Sequence, residues 1–449
     1  MLITKFEVRN MVRDTSFAGF LRNLVGPNVV PRLWGDTLNS AQNDPVKLSH
    51  TLLTARGQAS GVAIADRVLT LIETADAEGL QRYLAALRDE FEVDLGAVLQ
   101  AATNAKDPEG GPAALIALQQ AAEPPRQELF RRLNAAPRGT ERLVAFRCNL
   151  LAALRKDASL APIDADLRHL LRSWFNRGFL VPARIDWHSP ADLLEKIIAY
   201  EAVHRIDTWE DLRARLVPAD RRCFAFFHPA LPGEPLIFVE VALTRGLVGA
   251  IDTILTAPRD TLQAEDADTA IFYSISNCQA GLAGISFGAF LIKQVASDLK
   301  AELPDLKRFA TLSPMPGFAR WTQEQGIAPE YLVEGHEALP IAAAAYLAEA
   351  KDAANRPLDP VARFHLGNGA ELHRINPSGD LSAKGRAQSH GVMVNYLYEL
   401  EQVESRHEAF SASGEITVSR HVRALVNRPR IWDTADSTQG RKDAKQPDS

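Results

Sequence analysis

Cysteine is scarce in this chain: Cys148, Cys223 and Cys278 are the only three in 449 residues, widely spaced and without a Cys-x-x-Cys pair. That argues against a disulfide framework or a cysteine zinc site and fits a reducing, cytoplasmic compartment. The 11 histidines show no His-Glu-x-x-His or His-x-x-x-His spacing, so no metal centre is expected. Positive charge is not in excess either. Lys and Arg number 50 against 56 Asp and Glu, a net charge of −6, which gives no reason to expect nucleic acid or an anionic membrane as partner. A phosphorylated ligand would need a local basic or backbone-amide pocket instead. No apolar run approaches the roughly 18 residues of a membrane span. The first ten residues, with the acidic Glu7, do not read as a secretory signal, and the last ones lack a Ser-Lys-Leu peroxisomal address.

What remains is an ordinary globular composition, 46% hydrophobic and 24% charged, in a chain long enough for two or three domains. Residues 1–173 read as helix after helix. Leu143, Phe146, Leu150, Leu151 and Leu154 keep the three-and-four spacing of an amphipathic helix. Stretches near 60–75, 77–91, 113–122 and 125–135 are similar in character, parted by Pro- and Gly-bearing breakers at 107–112 and 123–125. Catalytic residue types do not group there, so a helical domain supporting oligomeric assembly is expected.

Residues 174–433 change pattern and are expected to form the catalytic domain. Segments 222–228 and 236–243 read as strands around a Pro-Gly turn, and hence as a hairpin. Segment 269–276 reads as a strand and 308–312 as another. Between them a helix over 290–300 carries Leu291, Ile292, Val295 and Leu299 on one side. A hairpin followed by strand–helix–strand predicts an α+β fold with a βαβ element inside. The polar residues 434–449 are expected to be disordered.

Three places carry chemistry. The turn from Gln279 to Phe290 contains Gly281, Gly284 and Gly288, which let backbone approach a ligand just before a helix start. Ala283, Gly284, Ile285, Ser286, Phe287, Gly288 and Ala289 therefore form a candidate phosphate cradle, although such turns are often only structural. The same residues spell Gly-x-Ser-x-Gly around Ser286, the form of a hydrolase nucleophile elbow, and Asp352, Asp359 and His365 follow in the required order. A hairpin upstream, rather than a run of parallel βαβ units, argues against that reading. Ser313 ends a strand before Pro314, Pro316 and Gly317, so its hydroxyl would stand on a rigid turn; a loop-capping serine is the plain alternative. His365 stands in a stretch, 364–370, that reads as a loop able to turn the ring towards a cleft. Composition does not choose among His365, His373 and His390.

Taken in order, several segments resemble the malonyl-CoA decarboxylase family, from about Trp174 to Tyr398, roughly half of the chain. They include Trp187-His188-Ser189-Pro190, residues 200–204, 232–236 and 270–276, the run Leu312-Ser313-Pro314-Met315-Pro316-Gly317-Phe318, and residues 364–366, 368–370, 374–376 and 395–396. The resemblance implies a helical N-terminal domain followed by a mixed α/β catalytic domain of the Gcn5-related N-acetyltransferase type. Its strand-to-helix turn would hold the CoA pyrophosphate at Ala283 through Ala289. The acetyltransferase signature wants glutamine or arginine, glycine three residues on, and glycine or alanine two later; here stand Gln279, Leu282 and Gly284, so the first glycine is missing. The family's catalytic serine falls on Ser313 and its histidine on His365, whereas Ser286 falls where the family requires no serine. A malonyl-CoA substrate, no cofactor, no metal, and a homotetramer or dimer are also implied.

The chemistry suits those residues. Losing CO2 from a malonyl thioester leaves an enolate, and the thioester carbonyl is itself the electron sink. A serine hydroxyl can hold the carboxylate without adding charge, and an imidazole can donate or accept near neutrality. Either Ser313 or His365 could then handle the proton. Two other readings stay open: an acyl-CoA acyltransferase with Tyr396 or Tyr398 as the acid, and a non-catalytic acyl-CoA sensor.

Overall fold

The structure, a computed structural model, describes residues 43–107, 110–285 and 288–432. The tail expected to be disordered, 434–449, lies outside them. Two compact units emerge: residues 43–176 together with Gln279–Ile285, and Arg177–Cys278 together with residues 288–432.

The first unit is helical: α1 Pro45–Thr54, α2 Gln58–Glu73, α3 Ala77–Asp89, α4 Leu95–Lys106, α5 Gly111–Ala121, α6 Pro125–Asn134, α7 Gly139–Leu154 and α8 Ala161–Trp174. Local chemistry sets the starts. Asp44, Asp76 and Asp94 accept the first N–H groups of α1, α3 and α4, and prolines occupy the first turns of α1, α5, α6 and α8. Val68, Leu69, Tyr83, Leu84, Leu87, Phe91, Leu129 and Phe130 fill the core. As the spacing predicts, α7 buries Leu143, Phe146 and Leu150, while Leu151 and Leu154 are half-buried. On the same stripe, however, it also buries Arg147, 1% exposed. Helices α4 and α5 pack on each other and leave Leu95, Leu99, Leu115 and Ile116 exposed.

Gln279–Ile285 belongs by packing to this helical unit. Its centre is a short 3-10 turn, Ala280–Leu282, set against α7. Gly281 is there for lack of room: a Cβ would sit 1.9 Å from the Val144 carbonyl oxygen.

The second unit is built on an eight-stranded mixed sheet: β1 Val181–Ile185, β2 Arg221–Phe227, β3 Pro235–Thr244, β4 Thr269–Asn277, β5 Arg308–Thr311, β6 Ser313–Pro314, β7 Glu371–Asn376 and β8 Met393–Tyr398. The β2–β3 hairpin forms as predicted, and β1 to β4 are antiparallel neighbours. From β4 the chain crosses through the helix Gly288–Glu302, labelled α12, to a parallel β5, which is the expected βαβ element. Helices α9 Ala191–Tyr200 and α10 Trp209–Leu216 bury Leu194, Ile197, Leu212 and Leu216 against Cys223, Ala225 and Phe238 of β2 and β3. A second cluster joins Ile254 of the short α11 Asp252–Leu255, and Ile251 just before it, to Ala242, Ile271, Leu312 and Met393. The remaining helices are α13 Phe318–Glu324, α14 Ala338–Ala348, α15 Pro360–Gly367, α16 Ala383–Ser389, α17 Val403–Ser413 and α18 Arg420–Val426. The fold class is thus the expected one, a helical N-terminal region followed by a mixed α/β domain.

Candidate active site

β5 and β6 are two pieces of one strand. Both pair with β8 in one register, Phe309 with Tyr398 and Ala310 with Leu397 before the break, Ser313 with Val394 and Pro314 with Met393 after it. Parallel pairing with β4 reaches Phe272 and Thr311, and the Leu312 N–H goes to the Phe272 carbonyl; beyond that point β4 runs on to Asn277 against β3. At the break, side chains replace ladder bonds. Asn395 donates to the Thr311 carbonyl at 2.7 Å and the Tyr396 N–H donates to Thr311 Oγ1 at 3.2 Å. Arg374 and Asn376 donate in turn to Asn395 Oδ1, which holds that amide in one orientation. Ser313 is fixed by this arrangement at the point where β4 and its neighbour part.

His365 does not lie in a loop, as its sequence suggested, but in the last turn of α15. Asp359 starts that helix by accepting the Val361 and Ala362 N–H groups, both at 2.9 Å, with Pro360 at the first position. The loop-like residues Gly367, Asn368 and Gly369 end it. Gly369 takes φ +80° where a Cβ would lie 2.0 Å from the Val403 carbonyl oxygen, so only glycine fits.

The two elements bring Ser313 Oγ to 3.1 Å from His365 Nε2. Both residues are buried, 5% and 3% exposed. His365 lies flat on Tyr396 with ring centres 4.7 Å apart, and Phe364 and Tyr398 meet it edge-on. Its Nδ1 is 2.9 Å from the Tyr398 hydroxyl. Burial pushes its pKa down to about 3, so the ring is neutral and carries one N–H. The Ser313 hydroxyl donates to Thr311 Oγ1 at 2.9 Å. At the histidine, therefore, Ser313 Oγ accepts, Nε2 carries the hydrogen, and Nδ1 takes the Tyr398 O–H. Two donors close in sequence to these residues, Tyr396 OH and Asn368 Nδ2, are buried without a partner.

Other sequence-named residues fall elsewhere. His373 faces Glu371 and His390 faces Thr322, so neither is in hydrogen-bond contact with Ser313. With its two nitrogens directed to Ser313 and Tyr398, His365 has no carboxylate on it, which removes the acid–histidine link that a hydrolase triad needs. Asp352 instead pairs with Arg356 and Arg363, and Asp359 caps α15. Of the cradle residues, Ala283, Gly284 and Ile285 lie in the helical unit's turn, and Gly288 and Ala289 open α12. Ser286 and Phe287 lie outside the described residues. Among the described residues no cluster of three His, Cys, Asp or Glu side chains could hold a metal ion, and no helix is long and apolar enough to cross a membrane. Sequence reasoning missed Thr311 altogether and gave Tyr398 a different part. The signal for both was alternation: Thr311 and Ser313 are two apart on one strand, as are Tyr396 and Tyr398 on its partner.

A buried serine–histidine pair with a neutral ring can stabilise charge that develops within a bound acyl group, and it lacks the carboxylate-oriented imidazole that activates a hydrolase serine. The chain belongs to the malonyl-CoA decarboxylase family: the model of that family's C-terminal domain matches residues 178–338 and 330–436, and that of its N-terminal domain matches residues 91–175. The mitochondrial malonyl-CoA decarboxylase of Anser anser anser is 37% identical over 68% of this chain and 70% of its own, and that of Mus musculus 33% over 69% and 72%. The crystal structure of the Rhodopseudomonas palustris enzyme shares 50% identity and superposes with a TM-score of 0.80, covering 85% of this chain and 99% of the other. That from Cupriavidus metallidurans shares 35% identity with a TM-score of 0.66, covering 86% and 100%.

Proposed function

We infer that the chain is a carboxy-lyase that converts malonyl-CoA to acetyl-CoA and CO2. The observation that carries the mechanism is the buried contact of Ser313 with a neutral His365. The bond to the carboxylate breaks, its electron pair spreads into the thioester as an enolate, and the α-carbon then takes one proton from solvent. Ser313 serves as the neutral donor that holds the carboxylate out of the thioester plane. Once Ser313 turns to the substrate, the Nε2–H of His365 is free for the thioester oxygen, where negative charge develops. A neutral imidazole suits that work, because a full positive charge in a dry site would stabilise the ground-state carboxylate as well. Tyr398 keeps the tautomer by donating to Nδ1.

Ala283 through Ala289 serve as the CoA-phosphate turn. The exposed apolar residues Leu95, Leu99, Leu115 and Ile116 of α4 and α5 support self-association of the helical unit into a homotetramer or dimer. Three free thiols, two of them buried, fit a reducing cytoplasm.

The test is product stoichiometry with no acceptor added. Decarboxylation gives acetyl-CoA and CO2 in equal amounts. Turnover that requires an amine acceptor would favour the acyltransferase, and binding without turnover the sensor.

A further inference from the structure

The helical unit does more to the glycine turn than bury it. Arg147 of α7 is 1% exposed, and its Nε donates to Asp164 Oδ1 at 2.7 Å. Its Nη1 donates to the carbonyls of Gly281, at 2.7 Å, and Ala283, at 2.9 Å. One turn further along α8 from Asp164 stands Arg168, and one turn beyond it Arg172, both on the face that meets Gly284. Arg172 reaches the Gly284 carbonyl at 3.4 Å, and the Arg168 side chain passes 3.9 Å from where a Gly284 Cβ would be. Gly284 itself has φ +76°. Among the described residues neither Arg168 nor Arg172 has an acidic partner; Asp164 is taken by Arg147, and Asp166 by Arg126. Arg168 is half-buried and Arg172 exposed, so both guanidinium groups remain open to an anion.

The geometry orders the turn for a ligand. C=O and N–H of one peptide point in opposite directions, so pinning the Ala283 carbonyl on Arg147 turns the Gly284 N–H away from that guanidinium. The turn thus presents a backbone donor and a positive φ glycine beside two arginines that have no acidic partner among the described residues. This is the local basic pocket that a chain of net charge −6 needs in order to hold a polyanion. We propose that Arg168 and Arg172, from the domain otherwise assigned to assembly, bind the phosphates of the CoA moiety together with this turn, and that the Arg147–Asp164 pair holds the turn in place. The proposal rests on the CoA-ester reading above and extends it to residues of the helical unit.

The experiment compares wild type with R168A, R172A and the double variant, all checked for unchanged Tm. Calorimetry measures binding of free CoA, and steady-state kinetics compares malonyl-CoA with malonyl-pantetheine, which has the same reacting end but no phosphate. The expected result is CoA binding weakened about tenfold by each substitution, more in the double variant, and KM for malonyl-CoA raised in step. The constants for malonyl-pantetheine stay as in wild type, and the salt dependence of CoA binding becomes shallower. CoA binding unchanged in the double variant overturns the proposal, as does an equal loss on both substrates, which would make the arginines structural. The two readings separate cleanly. Weakened CoA binding without conversion of malonyl-CoA by wild type would sink the decarboxylase and keep the phosphate site; conversion with CoA binding untouched would do the reverse.

Discussion

Ser313 Oγ lies 3.1 Å from His365 Nε2, across 52 residues of sequence, because a strand resumes at Ser313 and a helix ends just after His365. If the two act on one substrate group, their effects on turnover overlap. Ser313→Ala and His365→Asn are each expected to lower kcat by roughly 10²–10³ with the fold intact, and the double variant to be little worse than the worse single one. Rates that multiply independently in the double variant would place the residues in separate steps.

Burial keeps His365 neutral, with a pKa lowered to about 3 against about 6.5 in an unfolded chain. A histidine depressed on folding contributes stability that is present above pH 6.5 and lost as pH falls towards 3, because the unfolded chain takes the proton first. Between pH 7 and pH 5 the wild type should therefore lose roughly 2 kcal/mol more stability than His365→Gln. Urea unfolding at the two pH values measures it, and equal losses would mean that the ring is charged or exposed.

Tyr398→Phe deletes the hydroxyl that donates to His365 Nδ1 and leaves that nitrogen buried without a partner. The expected outcome is a fall in kcat of about tenfold with KM little changed, since the loss falls on the tautomer rather than on CoA binding. A wild-type kcat would show that the tautomer is held by other means.

Two glycine substitutions should move stability in opposite directions. Gly281→Ala drives a methyl to 1.9 Å from the Val144 carbonyl and should cost about 2–4 kcal/mol. Gly61→Ala, at the end of the first turn of α2 and 4.0 Å from Leu52 Cδ1, should stabilise by about 0.5–1 kcal/mol. Thermal unfolding decides both; a tolerated Gly281→Ala would mean that the turn is not packed against α7.

Much of the fold could be read in advance because it rests on local patterns. The β2–β3 hairpin, the βαβ element around α12 and the stripe of α7 follow from period-2 and period-3.6 spacing. His365 was misplaced into a loop because Gly367, Asn368 and Gly369 are loop-forming residues, yet here they are the stop of a helix whose start, Asp359-Pro360, was equally legible. Arg147 occupies a position of the stripe that otherwise carries Leu143, Phe146 and Leu150, and a charge on a buried stripe signals a buried partner. That its partners include Gly281 and Ala283, more than 130 positions away, could not be read from spacing. The Ser313–His365 pairing was reached only through family resemblance, since no periodicity links a split strand to the end of a distant helix.

The most direct test of the decarboxylase account is mass-spectrometric product analysis of malonyl-CoA incubated with wild type, Ser313→Ala, His365→Ala and Ser286→Ala. The account predicts acetyl-CoA from wild type and Ser286→Ala, and at least a hundredfold less from the other two. Free CoA as the product, lost in Ser286→Ala, would contradict it and identify a hydrolase instead.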